Sequence, residues 1–458
     1  MKAELSNSVF PKLKKIKRLT AFQIIILGFA GVILFGALLL CLPFATRDGQ
    51  GASFFDALFT ATSAVCVTGL VVHDTVTYWS VFGQVIIIML IQIGGMGVIT
   101  VSVTLGLISR RRVSLSQRNT MLESVSAPNP GTVIKFTKFI VATTAITEIL
   151  GALVMFPVFY DDYGFLKGLW YSVFHSISAF CNAGFDLMGA KGEFSSLTSL
   201  YSNPVINLVI TFLIVFGGIG FVTWDDMRTN GIHLKKYKLQ SKIALATTAI
   251  LIAVPFLYFY CFEFSRDYWN TMSAGDKVLA SLFQTITPRT AGFNTVNLDA
   301  MSEVSKMLMV MLMLIGGSPG STAGGMKTTT VAVLFASSIS VFKRRTDAES
   351  FKRRIPINSV RYAAAVLSMY LMLFLGGSLI IAQTENLPLL DCFYEAASAI
   401  GTVGLTLGIT PSLHASSRLI LIMLMFFGRV GGLTLMYATL SNSMKKYSKY
   451  PQEKVAVG

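Results

Sequence analysis

The sequence predicts an all-α polytopic membrane protein. A helix, a re-entrant half-helix with its loop, and a second helix recur four times around a pseudo-fourfold axis. Three observations carry this. Only 13% of the 458 residues are charged and 53% are hydrophobic, against about 25% charged in an ordinary soluble domain. Four glycine-centred pentapeptides recur, Cys66-Val67-Thr68-Gly69-Leu70, Cys181-Asn182-Ala183-Gly184-Phe185, Arg289-Thr290-Ala291-Gly292-Phe293 and Gly401-Thr402-Val403-Gly404-Leu405, at intervals of 115, 108 and 112 residues (69 to 184, 184 to 292, 292 to 404). The basic residues fall in five clusters, 12–18, 110–118, 228–242, 343–354 and 445–449, each between apolar units or at a chain end.

The elements follow in order. In the first unit, 21–109, residues 21–42 span; this run follows a basic segment but is too long for a signal-peptide core and has no evident cleavage site before Pro43. Residues 54–66 are too short to cross a bilayer, and 81–109, which carry no charge at all, span back. The second unit, 132–226, has a span at 139–160, a half-helix at 169–180 and a span at 205–224. The third, 240–341, has 243–261, 278–286 and 306–340, the last interrupted at 316–327. The fourth, 358–442, has 362–381, 392–400 and 419–440. That makes eight spans and four re-entrant segments. With two spans per unit every basic cluster shares one face, and the positive-inside rule makes that face the cytoplasm. A cytoplasmic segment 1–20 and a tail 443–458 complete the chain, with both termini inside.

The half-helices resemble one another. A serine stands six residues before the glycine in the first, second and fourth units (Ser63, Ser178, Ser398); the third has Ile286 there, with Thr287-Pro288-Arg289 following. The second spans repeat too: Gly94-Gly95-Met96-Gly97, Gly217-Gly218-Ile219-Gly220, Gly316-Gly317-Ser318-Pro319-Gly320 and Gly428-Arg429-Val430-Gly431 lie at similar depth, a pattern that suits close helix packing.

Irregular backbone at membrane depth is tolerated only where protein buries it or water fills the space. Four such loops on one axis could ring a cation with backbone carbonyls, and the negative C-terminal ends of the half-helices would favour it. Glycine permits the positive φ such turns need.

These residues resemble the Trk/Ktr/HKT superfamily of potassium transporters over about residues 22–440, and most closely its bacterial KtrB branch. By this resemblance the chain is expected to start directly with the first unit, whereas members of the TrkH type carry extra N-terminal helices. The resemblance implies four M1–P–M2 repeats and the ion-translocating subunit of a bacterial potassium uptake system. It gives Gly69, Gly184, Gly292 and Gly404 the role of filter glycines. Val67, Thr68, Asn182, Ala183, Thr290, Ala291, Thr402 and Val403 would lend carbonyls to K⁺, the only metal expected, and as cargo. It also implies a plasma-membrane homodimer on a cytosolic, nucleotide-binding, KtrA-like ring subunit, with no cofactor in this chain. Members with serine in the first filter favour sodium, so Gly69 argues for K⁺, with Na⁺ dependence left open. Passage would be channel-like. A membrane potential of about 100 mV supplies about 2.3 kcal/mol per charge, roughly fiftyfold accumulation. The alternatives are a sodium-coupled or sodium-permeable transporter of the same fold and an alternating-access transporter. The latter uses inverted repeats, which require an odd number of spans per unit.

The run Gly316, Gly317, Ser318, Pro319, Gly320, Ser321, Thr322, Ala323, Gly324, Gly325, Met326, Lys327 breaks a helix in mid-membrane. By resemblance it is a gating loop below the filter. Arg429 lies at the depth of the other glycine pairs and is expected to contact that loop as a positive barrier. Glu148 lies within a predicted span with no role assigned.

Other function classes fit poorly. Net charge is +15, but its distribution reads as membrane topology and lipid contact rather than nucleic-acid binding. Cysteines 41, 66, 181, 261 and 392 and histidines 73, 175, 233 and 414 are scattered without metal-ligand spacing. Gly316-Gly317-Ser318-Pro319-Gly320 mimics a nucleophile elbow, but Pro319 lacks the N–H an oxyanion hole would need. Met326 spoils a phosphate loop ending at Lys327. No enzymatic activity is expected.

Overall fold

The computed structural model describes residues 20–108 and 132–432, with Thr434, Pro451 and Glu453. The basic clusters 12–18, 110–118 and 445–449, the segment 1–19, nearly all of the tail 443–458 and the end of the predicted span 419–440 lie outside the described residues.

Helix α1, Ala21–Leu40, opens with a capping box in which the Thr20 side chain accepts from the Gln23 N–H and the Gln23 side chain accepts from the Thr20 N–H. The half-helix α2, Phe54–Cys66, is capped by Ser53. A short turn α3, Thr75–Tyr78, leads to α4, Val81–Met96, and α5, Val98–Ile108. Next come α6, Val133–Phe180, α7, Pro204–Ile219, and α8, Phe221–Asn230. Helix α9, Leu239–Tyr258, runs into a π turn at Phe259–Glu263. Then follow α10, Ala274–Ile286, α11, Glu303–Leu314, and α12, Thr328–Phe342. A two-residue antiparallel hairpin, Glu349–Ser350 with Arg353–Arg354, precedes α13, Ile357–Glu385, α14, Leu389–Gly401, and α15, Ala415–Val430.

Two features depart from the sequence reading, the fold-back of one helical run and the bends of two spans, while the interruption of span 306–340 agrees with it. The span 139–160 and half-helix 169–180 form one helical run, α6, folded back at Gly164, whose φ of 75° and ψ of −176° are open to glycine. Spans 81–109 and 205–224 are not straight. They bend by 98° between α4 and α5 and by 91° between α7 and α8. The corners are Gly97 (φ 85°, ψ 133°) and Gly220 (φ 99°, ψ 138°), and Gly431 ends α15 in the same conformation (φ 85°, ψ 138°). Span 306–340 is two short helices around an irregular segment. Among the described residues, four helices are long and apolar enough to cross a membrane, and six if each bent pair is one span, where eight were expected.

The half-helices lie innermost. Every residue from Phe59 to Cys66 and from Tyr394 to Gly401 is buried. Helices α1, α6, α9 and α13 present Leu34, Phe35, Leu38, Ile149, Leu153, Ile250, Val254, Met372 and Leu379 outward. Buried serines and threonines inside an exposed apolar jacket invert the soluble pattern and suit a lipid solvent. The packing is cyclic: α4 lies on α6, α7 on α10, α11 on α14, and α15 on α2. The last part of the chain therefore closes onto the first.

Candidate functional site

Three half-helices end identically. Thr68, Ala183 and Val403 donate their N–H to the carbonyls of Ser63, Ser178 and Ser398, each at 2.8 Å; Val67, Asn182 and Thr402 donate to Ala64, Ala179 and Ala399, each at 3.1 Å. This pair of bonds is the Schellman closure, which needs a left-handed residue after the helix. Val67 (φ 57°), Asn182 (φ 62°) and Thr402 (φ 51°) supply it. The third loop is built differently, with Ala291 N–H donating to Thr287 O at 3.0 Å, yet Thr290 two residues before its glycine is also left-handed (φ 71°). All four glycines have positive φ: 93° at Gly69, 71° at Gly184, 83° at Gly292 and 94° at Gly404. Left-handed and ordinary residues therefore alternate along each loop, which turns alternate peptide groups the same way.

A hydroxyl pins each loop. Ser63 and Ser398 accept the N–H of Gly69 and Gly404, each at 3.0 Å, and Ser178 donates to Phe185 O at 2.7 Å. In the third loop, where Ile286 occupies the serine position, Thr287 donates to Phe293 O at 2.5 Å. Thr287 thus does from one residue further on what Ser178 does in the second loop; the sequence showed Thr287 after the missing serine but not this role.

The four loops meet in a closed ring. A Cβ built on Gly184 would stand 2.8 Å from Ala291 O, and one on Gly292 2.5 Å from Val403 O. On Gly404 it would run into Thr68 O, and on Gly69 into Ala183 O. Each glycine thus faces the carbonyl that precedes the glycine of the next loop, from the first through the second, third and fourth and back to the first. Val67, Thr68, Asn182, Ala183, Thr290, Ala291, Thr402 and Val403 are all buried around it. Buried hydroxyls of Thr68, Thr290 and Thr402 have no hydrogen-bond partner in the described structure. Buried polar atoms are normally paired, and the Thr402 hydroxyl lies against Gly324 of the segment below the ring.

The second set of glycines makes the close approach possible. Gly94, Gly217 and Gly428 lie against the carbonyls of Val65, Phe180 and Ile400, each four residues before its loop glycine, where no Cβ would fit. Below the ring the segment 315–327 crosses the axis of the bundle. Ser318 N–H donates to Gly218 O (2.9 Å), Gly325 N–H to Gly428 O (3.2 Å), and Phe221 N–H to Gly320 O (2.8 Å). Its Thr322 hydroxyl reaches Asn182 Oδ1 at 2.9 Å and Phe180 O at 3.0 Å. Gly316 and Gly324 pack backbone to backbone within the segment, Gly317 lies against Ala323, and Lys327 Nζ donates to Ala323 O at 2.7 Å.

Arg429 stands where the other second spans have Gly95, Gly218 and Gly317. Its guanidinium donates to Thr322 O and Gly94 O, and to Gly95 O at 3.1 Å. It therefore ties the crossing segment to the corner of α4. Both line an inner cavity of about 460 Å³ with Gly97, Gly320, Lys327, Tyr370 and Gly431. Sequence reasoning named Arg429 and missed Thr322, which nothing distinguishes from Ser321 in the sequence.

On the other side, a vestibule of about 650 Å³ reaches Gly292 and Gly404 and is walled by Tyr201, Trp269, Asn294 and Thr406. Nearby, Asp74 caps α3 and also accepts the Phe194 N–H at 3.1 Å, joining the first and second loop regions. Burial pushes the Asp186 carboxyl up to about 7, with the Asp74 carboxylate adding to the rise and the Met188 N–H opposing it. Among the described residues no cluster of His, Cys, Asp or Glu could hold a resident metal.

A family model described as "TrkH: Cation transport protein" matches residues 9–449. The chain belongs to this family. TrkH-family proteins are cation transporters rather than enzymes, and this member is a multi-pass membrane protein. It is 38% identical over 448 residues to the "Potassium/sodium uptake protein NtpJ" of Enterococcus hirae, covering 96% of this chain and 98% of that one. It is also 38% identical over 448 residues to the "Ktr system potassium uptake protein B" of Bacillus subtilis, covering 98% and 99%. It shares the fold of the potassium transporter TrkH from Vibrio parahaemolyticus, with a TM-score of 0.72 at 22% identity over 93% of this chain and 86% of that one.

Proposed function

We propose that this chain is the ion-translocating subunit of a potassium uptake system, and that the four-loop ring is its selectivity filter. The closure of the ring carries the proposal: four glycines each face the carbonyl of the next loop. Carbonyl and hydroxyl oxygens replace the hydration shell of an alkali cation. Units 21–109, 132–226, 240–341 and 358–442 are then M1–P–M2 repeats around one pathway, with the bent second helices opening the inner cavity.

In this reading the segment 316–327 is the gate. Gly316, Gly317, Gly320, Gly324 and Gly325 let it thread the pathway, Ser318 and Lys327 fix its two limbs, and Arg429 latches it to α4. The latch puts a fixed positive charge beneath the filter. Passage is driven by membrane potential, with K⁺ as cargo. The relatives' names, which include a Ktr "system" and a potassium/sodium uptake protein, support a partner in a multi-component system and some role for Na⁺. A homodimer on a nucleotide-binding ring, with both termini cytoplasmic, completes the assembly proposed.

The test is rubidium uptake into proteoliposomes at an imposed potential, and growth of a potassium-uptake-deficient bacterium on low K⁺. The wild type supports both. Gly69→Ser and Gly292→Ser lower K⁺ uptake and shift preference toward Na⁺. Wild-type preference in both variants would refute the filter assignment.

A further inference from the structure

We propose that the vestibule next to the ring is a binding site for organic ammonium ions, which plug the mouth of the pathway. The binding follows from the walls of the vestibule; the plugging rests on the filter reading above. Three units build those walls. The second contributes Phe194 and Tyr201, the third Tyr268, Trp269 and the run 294–299 that follows Gly292, and the fourth the run 404–408. The volume of about 650 Å³ is that of a small-molecule pocket, for which roughly 300–1,000 Å³ is usual. At about 30 Å³ per water the space holds on the order of twenty waters, far more than one alkali cation needs.

Charge selects a cation. Among the described residues that line the vestibule, Asp299 alone carries a formal charge, and it is exposed. Arg266, two residues before Tyr268, does not line the space; it donates to Glu263 Oε1 at 2.8 Å and to Ala300 O at 3.2 Å. The rings then favour an organic cation over a hydrated metal ion. Phe194, Tyr201 and Tyr268 are 45%, 37% and 57% exposed, so aromatic surface is open to a ligand. Trp269 Nε1 donates to Glu263 Oε1 at 3.2 Å, which occupies its polar edge, and Tyr268 meets Trp269 nearly at right angles, with centroids 4.7 Å apart and planes at 81°. The negative faces of such rings attract quaternary and other alkylated ammonium ions. Phe194 is held at φ 57°, a conformation unfavourable for a bulky residue, and Asp74 fixes it there by accepting its N–H at 3.1 Å. Strain kept at a cavity wall is a mark of a ligand-facing position. The vestibule ends on Gly292 and Gly404 of the ring. An alkali cation can exchange its water for carbonyl oxygens there. An alkyl shell cannot be shed, so the organic ion lodges at the mouth.

The probe is tetraethylammonium. Calorimetric titration of the purified full chain reads binding, and rubidium uptake into proteoliposomes, with the probe on both faces, reads plugging. The wild type binds the probe saturably, and the probe raises the apparent KM for rubidium. Tyr268→Leu removes one ring from a largely exposed position and weakens binding and inhibition alike by about threefold to thirtyfold, the range for one cation–ring contact. Tyr268→Phe keeps the ring and stays within about twofold of wild type. Absence of binding to the wild type overturns the proposal, as does equal binding by Tyr268→Leu and wild type, or binding that leaves rubidium uptake unchanged. Should Tyr268→Leu fail to elute as folded protein, Tyr201→Leu takes its place with the same expectation. A wild type that takes up no rubidium without the probe would instead sink the filter reading, and the calorimetry would still decide the site.

Discussion

Replacing Gly292 by alanine tests the ring most directly. Two effects add. The residue has φ 83°, where a Cβ costs roughly 1–2 kcal/mol. The new methyl carbon would also stand 2.5 Å from Val403 O and 2.9 Å from Gly184 Cα. Carbon and carbonyl oxygen settle at about 3.3 Å or more, so the fourth loop must retreat by about 0.8 Å, and the second must yield as well. Overpacking of this kind costs roughly 1–3 kcal/mol. Gly408 provides the control: its φ is 86° and an added Cβ meets nothing within 4 Å. Gly408→Ala therefore isolates the backbone effect, and Gly292→Ala adds the collision. If the collision falls on the conducting arrangement, 1–3 kcal/mol is a factor of roughly 5–150 in rate. Rubidium uptake per incorporated protein, at a fixed potential, should be lower in Gly292→Ala than in Gly408→Ala by that factor. Uptake within twofold of each other, in two variants that elute alike, would refute the claim that the loops interlock.

Other expectations follow from the same contacts. Arg429→Ala removes the latch between Thr322 O and α4 and the charge beneath the ring, and basal uptake without any cytosolic partner should rise several-fold; Arg429→Lys, with a single donor head in place of the fork, should fall between. Gly97→Ala and Gly220→Ala share the backbone strain of positive φ, but only at Gly220 does a Cβ also meet Pro319 O, at 2.6 Å; altered gating should appear in Gly220→Ala and not in Gly97→Ala. The raised Asp186 carboxyl binds its proton more tightly in the folded protein than in the unfolded chain. Its contribution to stability is therefore full below the unfolded value near 4 and is lost as pH rises through about 7. The midpoint of thermal unfolding in detergent should fall over that window, and Asp186→Asn should flatten the fall.

The sequence made some of this legible and hid the rest for physical reasons. Gly69, Gly184, Gly292 and Gly404 stood out because matched half-helices precede them at near-regular spacing. The helix corners did not. Gly97 and Gly220 sit inside apolar runs that stay apolar through the bend, so hydropathy reads straight across it. Glycine pairs such as Gly94-Gly95 suggested packing, and the packing is there, against Val65 O and Cys181. What turns the chain is the third glycine of each set, and composition cannot tell a glycine that admits a neighbour from one that adopts positive φ. The fold-back at Gly164 was visible only as a polar gap between two helices. Thr287 was named but its role was not, because the third half-helix ends six residues before its glycine and the hydroxyl serves from a shifted position. Glu148 finds partners in Gln92 Nε2 at 3.2 Å and the Cys181 thiol at 3.8 Å, contacts that join residues far apart in the chain and leave no trace in local pattern.

The junction of Thr68 with Gly404 has a consequence for biogenesis. These partners are separated by more than 330 positions (68 to 404), and ribosomes add roughly 5–20 residues per second. The earliest loop therefore waits between about a quarter of a minute and a minute in the bilayer before its last neighbour is even synthesised. During that interval its carbonyls have no finished enclosure, and hydrocarbon cannot solvate them. Insertion of this chain thus calls for a temporary wet shelter, from the translocation machinery or from water carried in with the first hairpins, until the final strand of the hoop arrives.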